Sequence, residues 1–554
     1  ALYVRQRPGE HEGRSTQEWF RFQTATDFWA WVESHTFAKC KTWIFAHNWN
    51  FDGSILRTGA TLTGSDWQLT TYINDKPPVI IRWRKDGRTI QLIDSLNYFL
   101  GSLEYIGESI GISKLEMPHT DATPEDWDTY CKRDVEVLYQ AIIGFRKAVK
   151  DLDLGNFQMT LASQAFTAYR HRFMDQQILI HDKFAVCKME REGYYGGRTE
   201  SFYLGTINAS VYSLDFNSMY PAVMQKEDYP VKLFRVFKNV TLGNLVQLLE
   251  TYCVVAEVLI DTDQPIYPKR INKRLCFPVG SWWGVLTTPE LQYALRMGHI
   301  KETRLVSVYT KANLFRDYVT ELYALRMDYR RDKNPVFEYV VKILLNSLYG
   351  KFGQNGQKWE DTEHTVEDSG GIIIEENPDT GQLSKYRVRL GKTQEFSRDG
   401  ESENSFPGLA AHVTAYGRMM LWDAIQQAGE KNVYYTDTDS LIVNETGRRN
   451  LEALTDADRL GALKVEHSAN NVTIWGAKDY RFGDTEKHKG IKKSANKLSN
   501  DTWEQDQFTS WDAQLAGGTE GFIPIRRITK TLHRTYRKGR RTDSGWVMPL
   551  RENV

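Results

Sequence analysis

Alternating apolar and polar residues in the first third of the chain predict a small sheet followed by a long helix. Residues 42–47 (TWIFAH) read as a strand. Residues 79–94 (VIIRWRKDGRTIQLID) read as a hairpin, because Asp86-Gly87 tolerates the positive φ angles of a tight turn. A helix start is predicted at residues 123–126 (TPED), where Thr caps free amides and the acids face the positive end of the helix dipole. We expect this helix to run to about Asp151.

The middle of the chain mixes helical and strand patterns. Two helical runs flank Asn334-Pro335 and predict an antiparallel pair of helices, with Gly350 as its exit. The segment YSLDFNSMYP predicts a strand that ends at Asp215 and a turn closed by Pro221. The segment VYYTDTDSLIV, residues 433–443, predicts two strands joined by an acidic turn. Residues 354–407 are polar and rich in Gly, Asp and Ser, which is typical of an inserted hairpin or loop.

Composition narrows the class of protein. The 554 residues predict about three to four domains. The 71 basic and 71 acidic residues exclude a bulk polycation, although they do not exclude a basic groove. No apolar run approaches the length of a membrane helix, and the polar start is not a signal peptide. Five scattered cysteines predict reduced thiols in a cytoplasm and make a zinc site improbable.

Candidate chemistry lies in the acidic strand ends. A carboxylate at the end of a strand is held rigidly, and Mg²⁺ is usually bound by one or two such groups together with substrate phosphates. Two such ions can stabilise the attacking and leaving oxygens of a phosphoryl displacement. We therefore predict Asp215 and Asp439 as metal ligands, with Asp437 as a weaker third. Taken alone, the Asp-Thr-Asp turn is equally well a solvated acidic turn.

The second helix of the pair offers a face for a nucleotide. Lys342, Asn346 and Tyr349 are spaced i, i+4 and i+7, so they share one side of the helix. This face presents an ammonium for phosphates, an amide and an aromatic ring for a base. Arg330, near the end of the preceding helix, could add a guanidinium for phosphate oxygens. The alternative is that these residues are only the solvated face of an amphipathic helix.

These segments carry a family resemblance. DFNSMYP, KILLNSLYG and YTDTDS resemble motifs A, B and C of family B DNA polymerases. Further matches follow in family order: YYGG at residues 194–197, TAYGR at 414–418 and KDY at 478–480. The resemblance covers nearly the whole chain.

The resemblance implies roles for individual residues. Asp215 and Asp439 would bind two catalytic Mg²⁺ ions, for which Mn²⁺ can substitute, with Asp437 beside them. Tyr220 would lie under the sugar and exclude a 2′-hydroxyl. The other residues implied to bind the incoming deoxynucleotide are Arg330, Lys342, Asn346 and Tyr349. The residues implied to contact DNA are Tyr194, Gly196 and Gly197 for the template, Lys478 and Tyr480 for the primer terminus, and Thr414 and Arg418 in the palm.

The spacing of the motifs resembles that of the protein-primed polymerases of viruses and linear plasmids. The stretches from Pro221 to Lys342 and from Gly350 to Thr414 leave room for two insertions. In that group the first docks a terminal protein, and the second helps to encircle DNA and displace the opposing strand. Ser95 and Leu96 in SLNYF, and Lys114 in KLEM, resemble the group's single-strand-contacting motifs.

The N-terminal third resembles the family's 3′–5′ exonuclease. Asn48 would hold single-stranded DNA and Asp52 a metal, while Tyr130 would orient water and Asp134 bind metal. The family's first exonuclease motif, an Asp-x-Glu pair, is absent, and the sequence is expected to begin just after it. Glu10-His-Glu12 is the only nearby acidic pair and has the wrong pattern. The resemblance therefore leaves proofreading by this chain open.

The expected fold is a mixed α+β multidomain chain, in which an RNase H-like exonuclease domain precedes a right-hand polymerase. The expected parts are exonuclease 1–189, palm 190–225 and 408–505, fingers 311–353, thumb 506–554, and insertions 226–310 and 354–407. The implied partners are template, primer, deoxynucleoside triphosphates and a terminal protein, for a monomer without membrane contact in the host cytoplasm. The rival interpretations are a primer-independent family B polymerase and a catalytically degenerate DNA-binding relative.

Overall fold

The first part of the chain is built on a four-stranded mixed sheet, called here the N-terminal sheet. The computed structural model describes residues 1–5, 16–74, 77–356, 358–367, 372–376, 383–389, 392–397, 401–517, 520–521 and 525–553. The sheet has the spatial order Lys41–Ala46, Arg88–Asp94, Val79–Lys85, Gln68–Asn74. The predicted hairpin is confirmed, with φ of 47° at Asp86 and 73° at Gly87.

Helices cover both sides of the N-terminal sheet. On one side Ala25–Ser34, Trp49–Ile55 and Thr58–Gly64 enclose a core that contains Trp49 and Trp83. On the other side Ile80 and Ile93 pack into the core of the predicted helix, Pro124–Asp151. Thr123 and Asp126 cap each other's backbone at the start of this helix, and the helix ends at Asp151. Both predicted ends are therefore confirmed.

A five-stranded sheet, called here the carboxylate sheet, holds the acidic strand ends. Its order is Leu463–Ala469, Val211–Phe216, Ser440–Asn444, Val433–Asp437, Thr199–Ser201. The helices Met219–Lys226 and Pro407–Ala428 pack beside it. The prediction that Pro221 closes a turn is wrong, because Pro221 is the third residue of the first of these helices. In the first turn of a helix the missing N–H of proline costs no hydrogen bond.

The predicted helical pair consists of Arg316–Arg331 and Pro335–Phe352. Asn334 caps the second helix by accepting from the backbone N–H of Phe337 at 3.2 Å. The prediction that Gly350 ends this helix is wrong. The helix continues to Phe352, which is buried against the core, and Gly353 follows as the cap.

The two expected insertions both contain sheets. The first holds Tyr229–Lys238, Ile300–Ala312, Cys253–Thr262 and Val279–Thr287, joined at the edge by Arg551–Glu552 from the C-terminus. Its helices are Leu242–Thr251 and Thr288–Arg296. The second is a four-stranded antiparallel sheet in the order Lys358–Asp361, Lys392–Ser397, Leu383–Arg389, Ile373–Glu376.

The described residues of the C-terminal part form hairpins and one short helix. That helix, Trp511–Gly517, inserts Trp511 into the core of the N-terminal sheet. The remaining helices are Leu103–Ser109, Leu161–Ala168, Phe184–Gly193 and Glu445–Asn450. The remaining strands are Leu2–Arg5, Thr16–Trp19, Gly205–Ile207, Lys269–Ile271, Arg274–Cys276, Val472–Gly476, Asp479–Phe482, Thr485–Lys487, Asn496–Lys497, Thr502–Phe508, Ile525–Thr531, Gly539–Arg541 and Val547–Pro549. Within the described ranges, every helix is too short or too polar to cross a membrane.

Candidate active site

Strand register brings two of the predicted carboxylates together. Asp215 pairs directly with Ser440 across two neighbouring strands. Asp439 is the residue before Ser440, so it lies one position from the strand partner of Asp215. The backbone N–H of Phe216 donates to the carbonyl of Asp439 at 2.8 Å, which ties the two strand ends to each other. Two carboxylates from distant parts of the sequence therefore form one acidic site.

The electrostatics of this site favour a cation. Burial raises the pKa of Asp215 to about 7, and the negative charges of Asp439 and Glu466 contribute to the rise. The pKa of Asp439 is also raised, first by burial. Lys342 opposes both shifts without cancelling them. A bound divalent cation would hold both carboxylates ionised, so the residues present fit the expected metal.

Glu466 is an acid that sequence reasoning missed. It lies in the strand Leu463–Ala469 at a break in register between Val465 and His467. A bulge of this kind turns a side chain out of strict alternation and is common beside active sites. Only the pairing of this strand with Val211–Phe216 brings Glu466 near Asp215, so no local motif could have identified it.

The carboxylate of Asp437 has different partners from that of its neighbour Asp439. Its carboxylate accepts from Thr199 Oγ1 at 2.9 Å and lies 3.5 Å from Lys478 Nζ and 3.9 Å from Lys487 Nζ. Two ammonium groups thus neutralise this carboxylate in the structure, and the expectation of Asp437 as a weaker third metal ligand stays a prediction. The same contact helps to position Lys478.

The predicted nucleotide face lies opposite the acids. Lys342 is exposed and acts electrostatically on both Asp215 and Asp439. The rings of Tyr349 and Tyr220 are 5.0 Å apart, so motifs A and B meet through two phenols. Asn346 donates to the carbonyl of Lys342 at 2.7 Å and remains partly exposed. The predicted set is therefore brought together, apart from Arg330.

The guanidinium of Arg330 is paired with two carboxylates. It donates to Glu338 at 2.8 Å and also pairs with Asp458 at 3.2 Å. Two carboxylates occupy its guanidinium in the structure, and the expected phosphate contact of Arg330 stays a prediction. The guanidinium that reaches motif A is Arg326, which is buried and donates to Ser218 Oγ at 2.7 Å.

The YYGG loop is packed tightly between motifs. A Cβ at Gly197 would lie 2.6 Å from Thr438 Cγ2, so only glycine fits beside the acidic turn. A Cβ at Gly353 would lie 2.5 Å from the ring of Tyr194, which shows how closely this ring packs against the end of the helix. Around Gly196 the space is open.

Thr414 and Arg418 lie inside the protein. They are only 2% and 3% exposed in this structure, and their expected contacts with DNA stay predictions. Arg418 pairs with buried Glu290 at 2.7 Å and donates to the carbonyls of Tyr195 and Gly196 at 2.8 and 3.1 Å. Arg418 therefore holds the backbone of the YYGG loop from inside the protein. A buried cation needs such partners to offset its loss of hydration.

Lys478 and Tyr480 lie beside the acidic turn. The backbone N–H of Lys478 donates to the hydroxyl of Tyr435 at 3.0 Å, and the rings of Tyr435 and Tyr480 are 5.6 Å apart. Tyr435 belongs to the strand that ends at Asp437. The two residues expected at the primer terminus are thus held by the same strand as the acidic turn.

Comparison with known proteins identifies the family of the chain. The family model of DNA polymerase type B, organellar and viral, matches residues 108–388, which is half of the chain. The chain belongs to the type B DNA polymerases. The family resemblance read from motifs A, B and C is therefore confirmed.

Individual relatives of this type B polymerase are distant in sequence. A probable DNA polymerase of Neurospora intermedia is 26% identical over 368 residues, which cover 63% of this chain and 37% of that protein. A DNA-directed DNA polymerase of Enterobacteria phage PRD1 is 28% identical over 294 residues, covering 52% of this chain and 49% of that protein. The matched part thus spans well under two thirds of these relatives.

The fold has a clear structural counterpart. Phi29 DNA polymerase, solved with primer-template DNA and incoming nucleotide, matches with a TM-score of 0.70 and 16% identity over 94% of both chains. The expected fold class, a multidomain α+β chain with exonuclease and right-hand polymerase parts, is confirmed.

The type B polymerase also places acids together at the end of its N-terminal sheet. Burial, followed by the charge of Asp94, raises the pKa of Asp52 to about 7. Asp94 was missed by sequence reasoning. It accepts from the backbone N–H groups of Asn48 and Trp49 at 3.0 and 2.8 Å, and from that of Leu96 at 2.9 Å. Both carboxylate oxygens of Asp94 thus accept hydrogen bonds from backbone N–H groups.

Asp134 and Tyr130 share one ammonium partner. Lys114 lies 3.1 Å from Asp134 and 4.9 Å above the centre of the Tyr130 ring. Asp134 neutralises Lys114 in the structure, and the expected contact of Lys114 with DNA stays a prediction. Ser95 is fully buried and bonds to His47 Nδ1 at 2.8 Å, and its expected DNA contact likewise stays a prediction. The pair Glu10 and Glu12 lies outside the described residues.

One group of three metal-binding residue types occurs elsewhere in the described part of the chain. His181, Cys187 and Glu190 place their donor atoms within 4.8 Å of one another. Glu190 already accepts from His181 at 3.0 Å and from the backbone N–H of Gly408 at 3.1 Å, as well as from the hydroxyl of Tyr309. These bonds explain the group as a buried polar link between elements.

Proposed function

We propose that the chain catalyses template-directed DNA synthesis, in which a 3′-hydroxyl, or the hydroxyl of a priming protein, attacks the α-phosphate of a deoxynucleoside triphosphate and displaces pyrophosphate. The single observation that carries the proposal is the meeting of Asp215, Asp439 and Lys342 from three distant motifs. Bound Mg²⁺ at the two acids would lower the barrier by stabilising negative charge on the reacting oxygens.

The residues of the chain supply positioning and charge around that centre. Lys342 presents an ammonium for triphosphate oxygens, which are otherwise repelled by the acids. Tyr220 is buried and its ring lies 5.0 Å from that of Tyr349, so it is placed to exclude a 2′-hydroxyl. Lys478, fixed by Asp437, is placed to contact primer phosphates. Asn346 has the amide for a further nucleotide contact.

The test of the proposal is extension of a labelled primer on a single-stranded template with Mg²⁺ and deoxynucleoside triphosphates. The proposal requires template-dependent products that grow by one template-directed nucleotide per step. A degenerate DNA-binding relative would bind the duplex without extending it. A primer-independent enzyme would make products when the primer is omitted and no protein is added.

We further propose that synthesis starts on a terminal protein, as a monomeric enzyme of a virus or mobile element in the host cytoplasm. The surface that supports this proposal is the exposed part of the first insertion, since much of the insertion is buried or already paired. Residues 253–260 (CVVAEVLI) are mostly buried, and Trp282 is 2% exposed. Lys269 pairs with Glu552 at 2.7 Å, and Arg270 donates to the carbonyl of Tyr194. The exposed apolar residues of the insertion include Phe234, Leu242 and Val246.

The prediction for priming uses Phe234→Ser with Val246→Ser. We expect this variant to lose most initiation on a terminal protein and to keep extension from an annealed DNA primer, because the acids and the nucleotide face lie elsewhere. The assay compares nucleotide attachment to the protein with primer extension. Met297→Ser, at another exposed apolar residue of the insertion, is the control. Equal loss in both assays would mean that the segment has only a structural role.

A separate prediction concerns proofreading. We expect the chain as numbered to degrade single-stranded 3′ ends poorly, because Asp52 and Asp134 alone leave a second ion short of ligands and Asp94 is committed to backbone N–H groups. Digestion of a labelled oligonucleotide in Mg²⁺ measures this. Efficient digestion that Asp134→Ala abolishes would show that other acids complete the site.

A further inference from the structure

One end of the N-terminal sheet has an uncovered cationic face. Lys41, Thr89 and Arg84 are direct neighbours across three strands, so their side chains point to the same side. Ile80 and Ile93 lie on that side further along the strands, where the long helix covers them. The long helix does not cover the row of neighbouring residues Lys41, Thr89 and Arg84, and the side chains of Lys41 and Arg84 are exposed.

The next row adds an aromatic ring. Trp43 and Arg82 flank Gln91 on the same side of the sheet. Trp43 is 37% exposed, which is unusual for a large ring on a sheet face. Lys41 Nζ lies 5.5 Å from the centre of the Trp43 ring, and the centre of the Phe157 ring lies 6.2 Å from it. The ring is thus held at the edge of the sheet and open to solvent.

The positive charges of this face lack acidic partners. In the described part of the chain, Lys39, Lys41 and Arg84 form no ion pair. Burial lowers the pKa of Lys41, and the neighbouring Arg82 and Arg84 lower it further. Mutual repulsion of cations costs free energy that a polyanionic ligand would recover.

A groove of about 530 Å³ lies at this end of the sheet. Lys39, Lys41, Arg84 and Gln68 line it. The other cations of the groove, Lys85 and Arg88, are neutralised by Glu33 at 3.2 and 3.4 Å, and Asp86 also pairs with Arg88. Exposed Asp66 also lines the groove, where Lys39, Lys41 and Arg84, which form no ion pair within the described residues, outnumber it.

We propose that this face, formed by Lys39, Lys41, Trp43, Arg82 and Arg84, is a second binding site for single-stranded DNA. Its cations bind backbone phosphates and Trp43 stacks on a base, the combination that single-strand-binding surfaces use. Duplex DNA is disfavoured because its paired bases offer no face to Trp43. The site is distinct from the N-terminal acids, which lie at the opposite ends of the same strands, beyond Ala46 and at Asp94.

The test measures binding of a fluorescent oligo-dT to the full chain saturated with unlabelled primer-template duplex. We expect Lys41→Gln with Arg84→Gln to weaken this binding and to reduce the slope of log affinity against log salt by about 0.7 for each phosphate that is no longer neutralised. Trp43→Ala should weaken it about tenfold, because the base then has no ring to stack on. The control is Lys238→Gln with Lys431→Gln, two exposed lysines that lie at the end of the strand Tyr229–Lys238 and just before the strand Val433–Asp437.

A second readout locates the ligand without requiring polymerase activity. An oligonucleotide with 5-iodouracil should crosslink on irradiation to the peptide that contains Trp43, and the Lys41/Arg84 variant should lose that crosslink. Since this arm needs no extension, its failure is distinguishable from failure of the proposed function. Displacement of all oligo-dT by primer-template duplex, or an unchanged salt slope in the variant, would overturn the site. Equal weakening in the control variant would also overturn it.

Discussion

Asp439→Asn is expected to reduce primer extension by about 10³-fold or more while leaving duplex binding within about twofold. The substitution keeps the size of the side chain and removes one negative charge from the acidic site. Asp215 alone would then hold the cations, and its own pKa is already raised to about 7 by burial and by Asp439 and Glu466. Binding of DNA phosphates should be unaffected, because a carboxylate repels phosphate and does not hold it.

Single-turnover extension at saturating Mg²⁺, with duplex binding by anisotropy in parallel, measures this effect. Asp484→Asn, at an exposed acid of the same half of the chain, is the matched control and should retain full activity. Asp437→Asn should lie between the two, since Asp437 acts through Lys478. Near-normal rates for Asp439→Asn would contradict the assignment of this residue as a metal ligand.

Glu290→Ala is expected to destabilise the protein by about 3–5 kcal/mol. The substitution leaves the guanidinium of Arg418, which is only 3% exposed, without its charged partner. Glu290 also accepts from the backbone N–H and hydroxyl of Thr287 at 3.2 Å, so a helix cap is removed at the same time. The midpoint of urea unfolding should fall accordingly.

This variant also probes how the first insertion supports the catalytic half. Arg418 holds the carbonyls of Tyr195 and Gly196, so a displaced Arg418 should lower extension even at temperatures where the variant is folded. Glu302→Ala, at an exposed acid in the same insertion, is the control for general effects of charge. A stability equal to that of the parent chain would mean that water or another group satisfies Arg418.

Local sequence determined the elements and the reactive residue types. The hairpin at Asp86-Gly87 and the capped helix at Thr123 follow from turn and cap chemistry within a few residues, and both are present as predicted. The face of Lys342, Asn346 and Tyr349 follows from helical spacing alone. The order of motifs A, B and C further identified the family, because two acidic strand ends with a helical segment between them in this order are specific to it.

Only the tertiary structure decided which charged groups are free to act. Arg330, Asp437 and Arg418 have the right residue types, but Glu338, Lys478 and Glu290 neutralise them through contacts that no motif in the sequence reveals. Glu466 became part of the acidic site only because a bulged strand pairs with the strand of Asp215. The cationic face around Lys41 likewise depends on register across three strands, because charge complementarity is a property of neighbours in space.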